Sequence, residues 1–264
     1  MLDAAFIPQR RLSPLEAQFK ESFTPPPLYM WRLLQKRWHT GEPELRMLAG
    51  LAARDRVAID IGAGKGVHTH YLGWCSAHVH AFEPNPAIHE ILERSLPPNA
   101  SAYPIALGDH GHTSGELIVP MHGSVFSNVS ASLNPRKKIK RHATLEVPCR
   151  TLDSFAFRGV GLIRIDVEGG ERAVLAGASE TIARERPVLV VELKESRTGE
   201  PIEASLGVVR RFGMEGFFLR EGELTPLSIF DPVADHRRKL RQPGCVTTFV
   251  FKPRQETKGV SSPK

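Results

Sequence analysis

Residues 56–66, RVAIDIGAGKG, restrict this chain more than any other stretch. Val57, Ala58 and Ile59 form a short apolar run with β-branched residues, the pattern of a strand buried on both faces. The run ends at Asp60 and passes into Gly62, Gly64 and Gly66 at alternate positions, and a helical stretch over 67–74 follows. Strand, glycine turn and helix in that order let backbone N–H groups face a ligand, because glycine has no Cβ to block the approach.

The rest of the chain continues the alternation. Strands are expected over 78–83, 101–107, 162–167 and 188–193, with helices starting at Pro86 behind an Asn85 cap and over 171–184 and 202–212. Late strands are expected at 217–219 and 246–251, and two extra strands at 115–119 and 145–149. This predicts an α/β, doubly wound, Rossmann-like sheet. Two helices should precede it, one over 29–39 and one opened by Pro43. The expected organisation is an N-terminal arm (1–27), a helical extension (28–54), the main domain (55–252) and a flexible tail (253–264). The stretch 120–144 is too long for an ordinary connection and is expected to be the variable substrate loop.

In such a sheet the ligand lies at the carboxyl ends of the strands, where the strand order reverses. Four of the five candidate strand ends carry an acid: Asp60, Glu83, Asp166 and Glu192, with Leu107, Gly108 and Asp109 ending the other. The glycines do not follow G-x-G-x-x-G, since Val67 stands where the third glycine would be. An acid before the first glycine suits a ligand with a cationic end and repels a pyrophosphate. S-adenosylmethionine, with an ammonium and a sulfonium, is therefore the expected cofactor; a dinucleotide and a turn without a ligand are the alternatives. Its contacts are expected from Asp60, Gly62, Ala63, Gly64, Lys65 and Gly66 at the turn. Glu83, 21 residues beyond Gly62, is placed to accept the ribose hydroxyls. Leu107, Gly108 and Asp109 would sit beside the adenine.

LIRIDVEGGE, residues 162–171, is the second informative stretch. Methyl transfer from a sulfonium needs nucleophile, carbon and sulfur held in line, and a hydroxyl nucleophile gains from a nearby base. Asp166 and Glu168 are the candidate catalytic groups, while Glu171 fits a helix N-terminus. Asn128, Ser130, Ser132 and Glu192 are the candidate acceptor-binding residues. Arg164 is a charge inside an apolar strand and needs a partner, such as an acid of a neighbouring strand end.

The succession AIDIGAGKGVHT, HAFEPNP, PIALGD, VPCRTLDSF, IRIDVEGGERAVLAGA and PVLVVEL resembles the FkbM family of S-adenosylmethionine-dependent methyltransferases over about residues 42–252. The resemblance implies a class I methyltransferase sheet, mostly parallel with a reversed last strand, and O-methylation of a sugar, glycan or natural-product hydroxyl. It assigns Asp60, Gly62, Gly64 and Gly66 to the first cofactor motif, Glu83 and Asn85 to the ribose motif, and 166–171 to the family's hallmark segment. Lys65 stands where the family often has Asn, and Arg164 where it often has Lys, which keeps the charge.

Other features point away from competing chemistries. Three widely spaced cysteines without a C-x-x-C disfavour a disulfide framework or a zinc site. Cys149 precedes the fourth strand, so it reads as a buried cysteine rather than a nucleophile. The pairs His68/His70, His78/His80 and His110/His112 read as ordinary helix and strand histidines, and no metal site is expected. The first 30 residues lack the apolar core of a signal peptide, and no run approaches a bilayer span, so a cytoplasmic enzyme is expected. A net charge of +6 and the run 136–141 leave an RNA methyltransferase as the enzyme alternative, although nucleic acid is not the expected partner. A cofactor-binding subunit without catalysis is the other alternative. Dimer contacts through the N-terminal helices are a further expectation.

Overall fold

The computed structural model describes residues 26–39, 43–111, 113–122, 125–126, 131–133, 142–240, 242 and 244–254. Pro26–His39 (α1) and Pro43–Leu51 (α2) precede the first strand, Val57–Ile61 (β1). Val67–Cys75 (α3), His78–Phe82 (β2), Pro86–Arg94 (α4), Ala100–Tyr103 (β3) and Ala106–Leu107 (β4) follow. Then come Thr113–His122 (β5), Val125–Phe126 (β6), His142–Arg150 (β7), Val160–Ile165 (β8), Glu171–Ala176 (α5), Ser179–Glu185 (α6) and Val188–Glu192 (β9). The chain closes with Glu195–Thr198 (α7), Ile202–Arg210 (α8), Glu215–Arg220 (β10), Glu223–Pro226 (β11) and Thr248–Lys252 (β12).

The main sheet has eight strands in the order β11-β10-β12-β9-β8-β1-β2-β3. From β3 to β9 all neighbours are parallel, whereas β12 runs antiparallel to β9 and to β10. The last strand is therefore reversed, as the class I arrangement requires, and it inserts between β9 and β10 rather than at the edge. The edges are β3 and β11; β11 pairs with β10 and has no counterpart in the sequence-based expectation.

Alternate strand residues face opposite layers. Ile59, Ile61, Ile163, Ile165, Leu189 and Val191 pack under Val174, Leu175, Ile182, Leu206 and Val209 of the later helices. Ala58, Leu162 and Val190 face the other way, against Met30, Leu34, Leu45, Leu48 and Leu72 of α1, α2 and α3. The N-terminal helices are thus one cover of the sheet. α1 begins at Pro26, inside the proline run that read as the end of the arm; proline suits a helix start because its missing N–H has no partner to lose there.

Three expectations are corrected. The strand expected over 101–107 splits, because Pro104 has no N–H to continue the ladder. β3 stays in the main sheet, and β4 joins a second sheet of order β4-β7-β5-β6. The extra strands β5 and β7 are longer than expected and pair antiparallel from Thr113↔Cys149 to Pro120↔His142. The helix expected over 171–184 breaks at Gly177, where a Cβ would lie 1.9 Å from the carbonyl oxygen of Gly108. The second half restarts with Asp153 capping it from another segment, accepting from the N–H groups of Glu180 (3.0 Å) and Thr181 (2.8 Å).

Candidate active site

The glycine turn passes directly beneath the end of β8. Gly62 has φ +80°, and a Cβ there would lie 2.0 Å from the carbonyl oxygen of Asp166. Only glycine permits that crossing. Phe82 O accepts from the N–H groups of Gly62 and Ala63 at 2.9 and 3.0 Å, which ties the turn to the end of β2. The next residue of that chain segment is Glu83, whose carboxylate accepts from Gly64 N and from Asn85 N, both at 2.9 Å. Asn85 in turn caps α4 by accepting from Ala87 N. Burial, with a smaller contribution from the charge of Asp60, pushes the Glu83 carboxyl up to about 7 against the pull of its two N–H donors.

The unpaired charge in β8 finds its partners. Register places Arg164 opposite Asp60. Its Nη1 donates to Asp60 Oδ1 at 3.0 Å and its Nη2 to Asp166 Oδ2 at 2.7 Å, while Nε lies 3.4 Å from Glu44 Oε1 of α2. Thr69 of α3 donates to the other oxygen of Asp60 at 2.7 Å. One guanidinium therefore faces three carboxylates, and the cluster keeps surplus negative charge. Burial opposes ionisation of Asp166, but Arg164 and a hydrogen bond from Glu192 outweigh it and hold the carboxyl at about 2. Glu192 responds in the opposite sense: burial, then the charge of Asp166, push it up to about 8, although Lys194 Nζ lies 2.5 Å away. The pair retains one proton near neutrality, and that proton belongs to the pair rather than to either residue.

A cavity of about 1040 Å³ opens over these groups. Of the residues expected at the site, Gly62, Ala63, Gly64, Lys65, Glu83, Leu107, Ser132, Asp166, Glu168 and Glu192 line it. Glu168 has φ +59°, an uncommon conformation for a residue with a side chain. Its turn is held by Ser132 Oγ donating to Glu168 O at 2.8 Å and by Glu171 accepting from Gly169 N at 2.9 Å. The Glu168 carboxylate pairs with Arg197, as the Asp166 carboxylate pairs with Arg164.

Other expected residues stand behind the wall. Asp60 is wholly buried, and its carboxylate is occupied by Arg164 and Thr69. It does not line the cavity. Gly66 packs against Leu92, and Asn85 serves as a cap. Gly108 N donates to Arg150 O, and Asp109 is exposed beside His110, so neither lines the cavity. Asn128 and Ser130, the run 136–141 and most of the expected substrate loop lie outside the described residues.

The cavity also has walls that the sequence did not announce. Glu44 and five α1 residues line it, and so does His68, which read as an ordinary helix histidine. Burial and the charge of Arg164 keep the His68 ring well below its ordinary value and hence neutral; its Nε2 lies 3.8 Å from Glu44 Oε1. Only the lone charge of Arg164 hinted at this cluster. Among the described residues no group of His, Cys, Asp and Glu could hold a metal ion, and no helix is long and apolar enough to cross a membrane.

Residues 60–218, more than half of the chain, match the Methyltransferase FkbM domain. The chain belongs to the FkbM methyltransferase family. No curated protein matches it in sequence. Among solved structures it is similar to the methyltransferase FkbM from Methylobacillus flagellatus KT, with 14% identity and a TM-score of 0.46 over 75% of this chain and 44% of that one. This FkbM-family chain thus spans less than half the length of that relative. It is also similar to the TehB-like SAM-dependent methyltransferase from Corynebacterium glutamicum, with 17% identity and a TM-score of 0.44 over 86% of this chain and 100% of the other. An rRNA methylase from Streptococcus thermophilus gives 12% identity and a TM-score of 0.44, over 80% and 95% of the two chains.

Proposed function

We propose that this FkbM-family methyltransferase binds S-adenosylmethionine at the ends of β1, β2 and β8 and methylates a hydroxyl of a sugar, glycan or small natural product. The observation that carries the reading is the strand-end cluster: one buried guanidinium among three carboxylates, beside Gly64 and Glu83 at the cavity wall. Surplus negative charge fits a cationic ligand. Gly64 has open space where a Cβ would stand, so its backbone is approachable from the cavity. Glu83 would hold the ribose hydroxyls through the lone pairs that Gly64 and Asn85 leave, and Leu107 would pack on the adenine. Bound there, S-adenosylmethionine supplies an electrophilic methyl group.

Asp166 is held ionised by Arg164 and faces the cavity, so it accepts a hydrogen bond from an acceptor hydroxyl and orients its oxygen. The pair already holds one proton and Arg164 keeps Asp166 a weak base, so the proton that this oxygen loses as the C–O bond forms and the C–S bond breaks leaves to bulk water. Calorimetry with S-adenosylhomocysteine and with NAD tests the cofactor: binding of the first alone is expected, and binding of NAD alone would overturn the reading. Transfer of label from S-adenosylmethionine to an alkali-stable ether on a hydroxylated acceptor tests the reaction. Unchanged transfer in Asp166→Asn would remove Asp166 from it.

A further inference from the structure

The cavity is charged on two sides. At the strand ends Glu83, Asp166 and Glu192 stand with Arg164 and Lys194, and on its helical side Glu44 of α2 stands beside the cations of α1. Tyr29, Arg32, Leu33, Lys36 and Arg37 all line it from α1, at the i, i+3, i+4, i+7, i+8 spacing of one helix face. The adjoining face holds Met30 and Leu34, buried against Leu45, Leu48 and Leu72. That packing fixes the rotation of α1, so the basic stripe is aimed at the cavity by the core. Lys65, whose Nζ lies 3.1 Å from Tyr29 Oη, extends the positive wall towards the glycine turn. The volume of about 1040 Å³ stands at the upper end of the roughly 300–1,000 Å³ of ordinary ligand pockets, which leaves room for an acceptor beside a cofactor.

We propose that α1 is the acceptor-recognition wall, and that the acceptor carries an anionic group, a phosphate or carboxylate, docked by Arg32 and Lys36 while its hydroxyl faces Asp166. The proposal rests on the methyl-transfer reading above. Arg32 and Lys36 stand four residues apart, about 6 Å along the helix, a span that one small anion bridges. A stripe facing into a cavity favours a small anion over a nucleic-acid backbone.

The test uses the full chain saturated with S-adenosylhomocysteine, titrated by calorimetry with inorganic pyrophosphate and with malonate. The comparison proteins are Arg32→Ala/Lys36→Ala and the charge-preserving Arg32→Lys/Lys36→Arg. At least one anion should bind, with affinity falling about tenfold or more in the alanine pair, as expected for charge-assisted contacts, and largely restored in the charge-preserving pair. Tighter pyrophosphate binding identifies a phosphate, and tighter malonate binding a carboxylate. S-adenosylhomocysteine affinity should stay within roughly twofold. Binding of neither anion, or equal binding by wild type and the alanine pair, overturns the proposal. A loss of S-adenosylhomocysteine affinity of about tenfold in that pair also overturns it, assigning the wall to the cofactor's own carboxylate. So does short single-stranded RNA that binds tighter than both anions through Arg32 and Lys36. If the wild type binds no S-adenosylhomocysteine, the methyl-transfer reading is what fails, and the anion titration of the unliganded chain still tests the wall.

Discussion

The floor and the wall of the cavity are both charged, and they are built in opposite ways. On the floor, Arg164 is buried and touches Asp60, Asp166 and Glu44, which come from β1, the end of β8 and α2. On the wall, Arg32 is exposed on a single helix. A buried charge is tolerated only with its partners in place, so removing one partner is costly. An exposed cation is solvated and screened, so it adds little to stability and remains available to a ligand. The lesson is a division of labour: the floor charges are tied into the fold, whereas the wall charges can change without disturbing it.

The sharpest way to break this contrast is Arg164→Met. It leaves Asp60 buried without its cation, and a loss of about 3–5 kcal/mol is expected in urea unfolding. A loss as small as that of a surface substitution would show that the floor cluster does not support the fold. Asp166→Asn comes next. It should lower the methyl-transfer rate roughly a hundredfold, with S-adenosylhomocysteine affinity changed only severalfold. Parallel losses of both would make Asp166 a cofactor contact instead.

Glu83→Gln should weaken S-adenosylhomocysteine binding about tenfold, since a hydrogen bond to a charged group is lost. The same residue sets a pH dependence. In the proposed complex the ribose hydroxyls donate to the ionised carboxylate, but the ligand-free group sits at about 7. Below that pH, binding must expel a proton, so affinity should fall by up to about tenfold per pH unit and level off above neutrality. Calorimetry across pH 5–9 checks this, and Glu83→Gln should flatten the profile. The smallest effect belongs to the wall: Arg32→Ala should change unfolding free energy by no more than about 0.5 kcal/mol. A larger loss would mean that the wall, like the floor, is part of the fold.

Much of this was legible because it is local. The apolar run 57–59, the alternate glycines and the Asn85-Pro86 helix start are short-range patterns, and each leads to the element observed. The site was legible where a residue ends a strand, as Glu83, Asp166 and Glu192 do. Asp109 misled because the chain leaves the main sheet at Pro104, and strand β4 carries the following turn away from the cavity. The close approach at Gly177 was hidden for a similar reason: it stands against the backbone of Gly108, far away in sequence.

By itself the sequence determined that this chain builds a mostly parallel sheet with a glycine turn at its centre, because strand periodicity and positive-φ turns depend on neighbouring residues alone. Tertiary structure decided which charges are spent and which remain. Asp60 looked like a ligand contact until the β1–β8 register set Arg164 against it. Glu44 and the α1 stripe carried no signal until the packing of Met30 and Leu34 turned that helix towards the cavity. Whether a charged side chain serves the fold or a ligand depends on what lies across from it, and that is a property of pairings between distant segments.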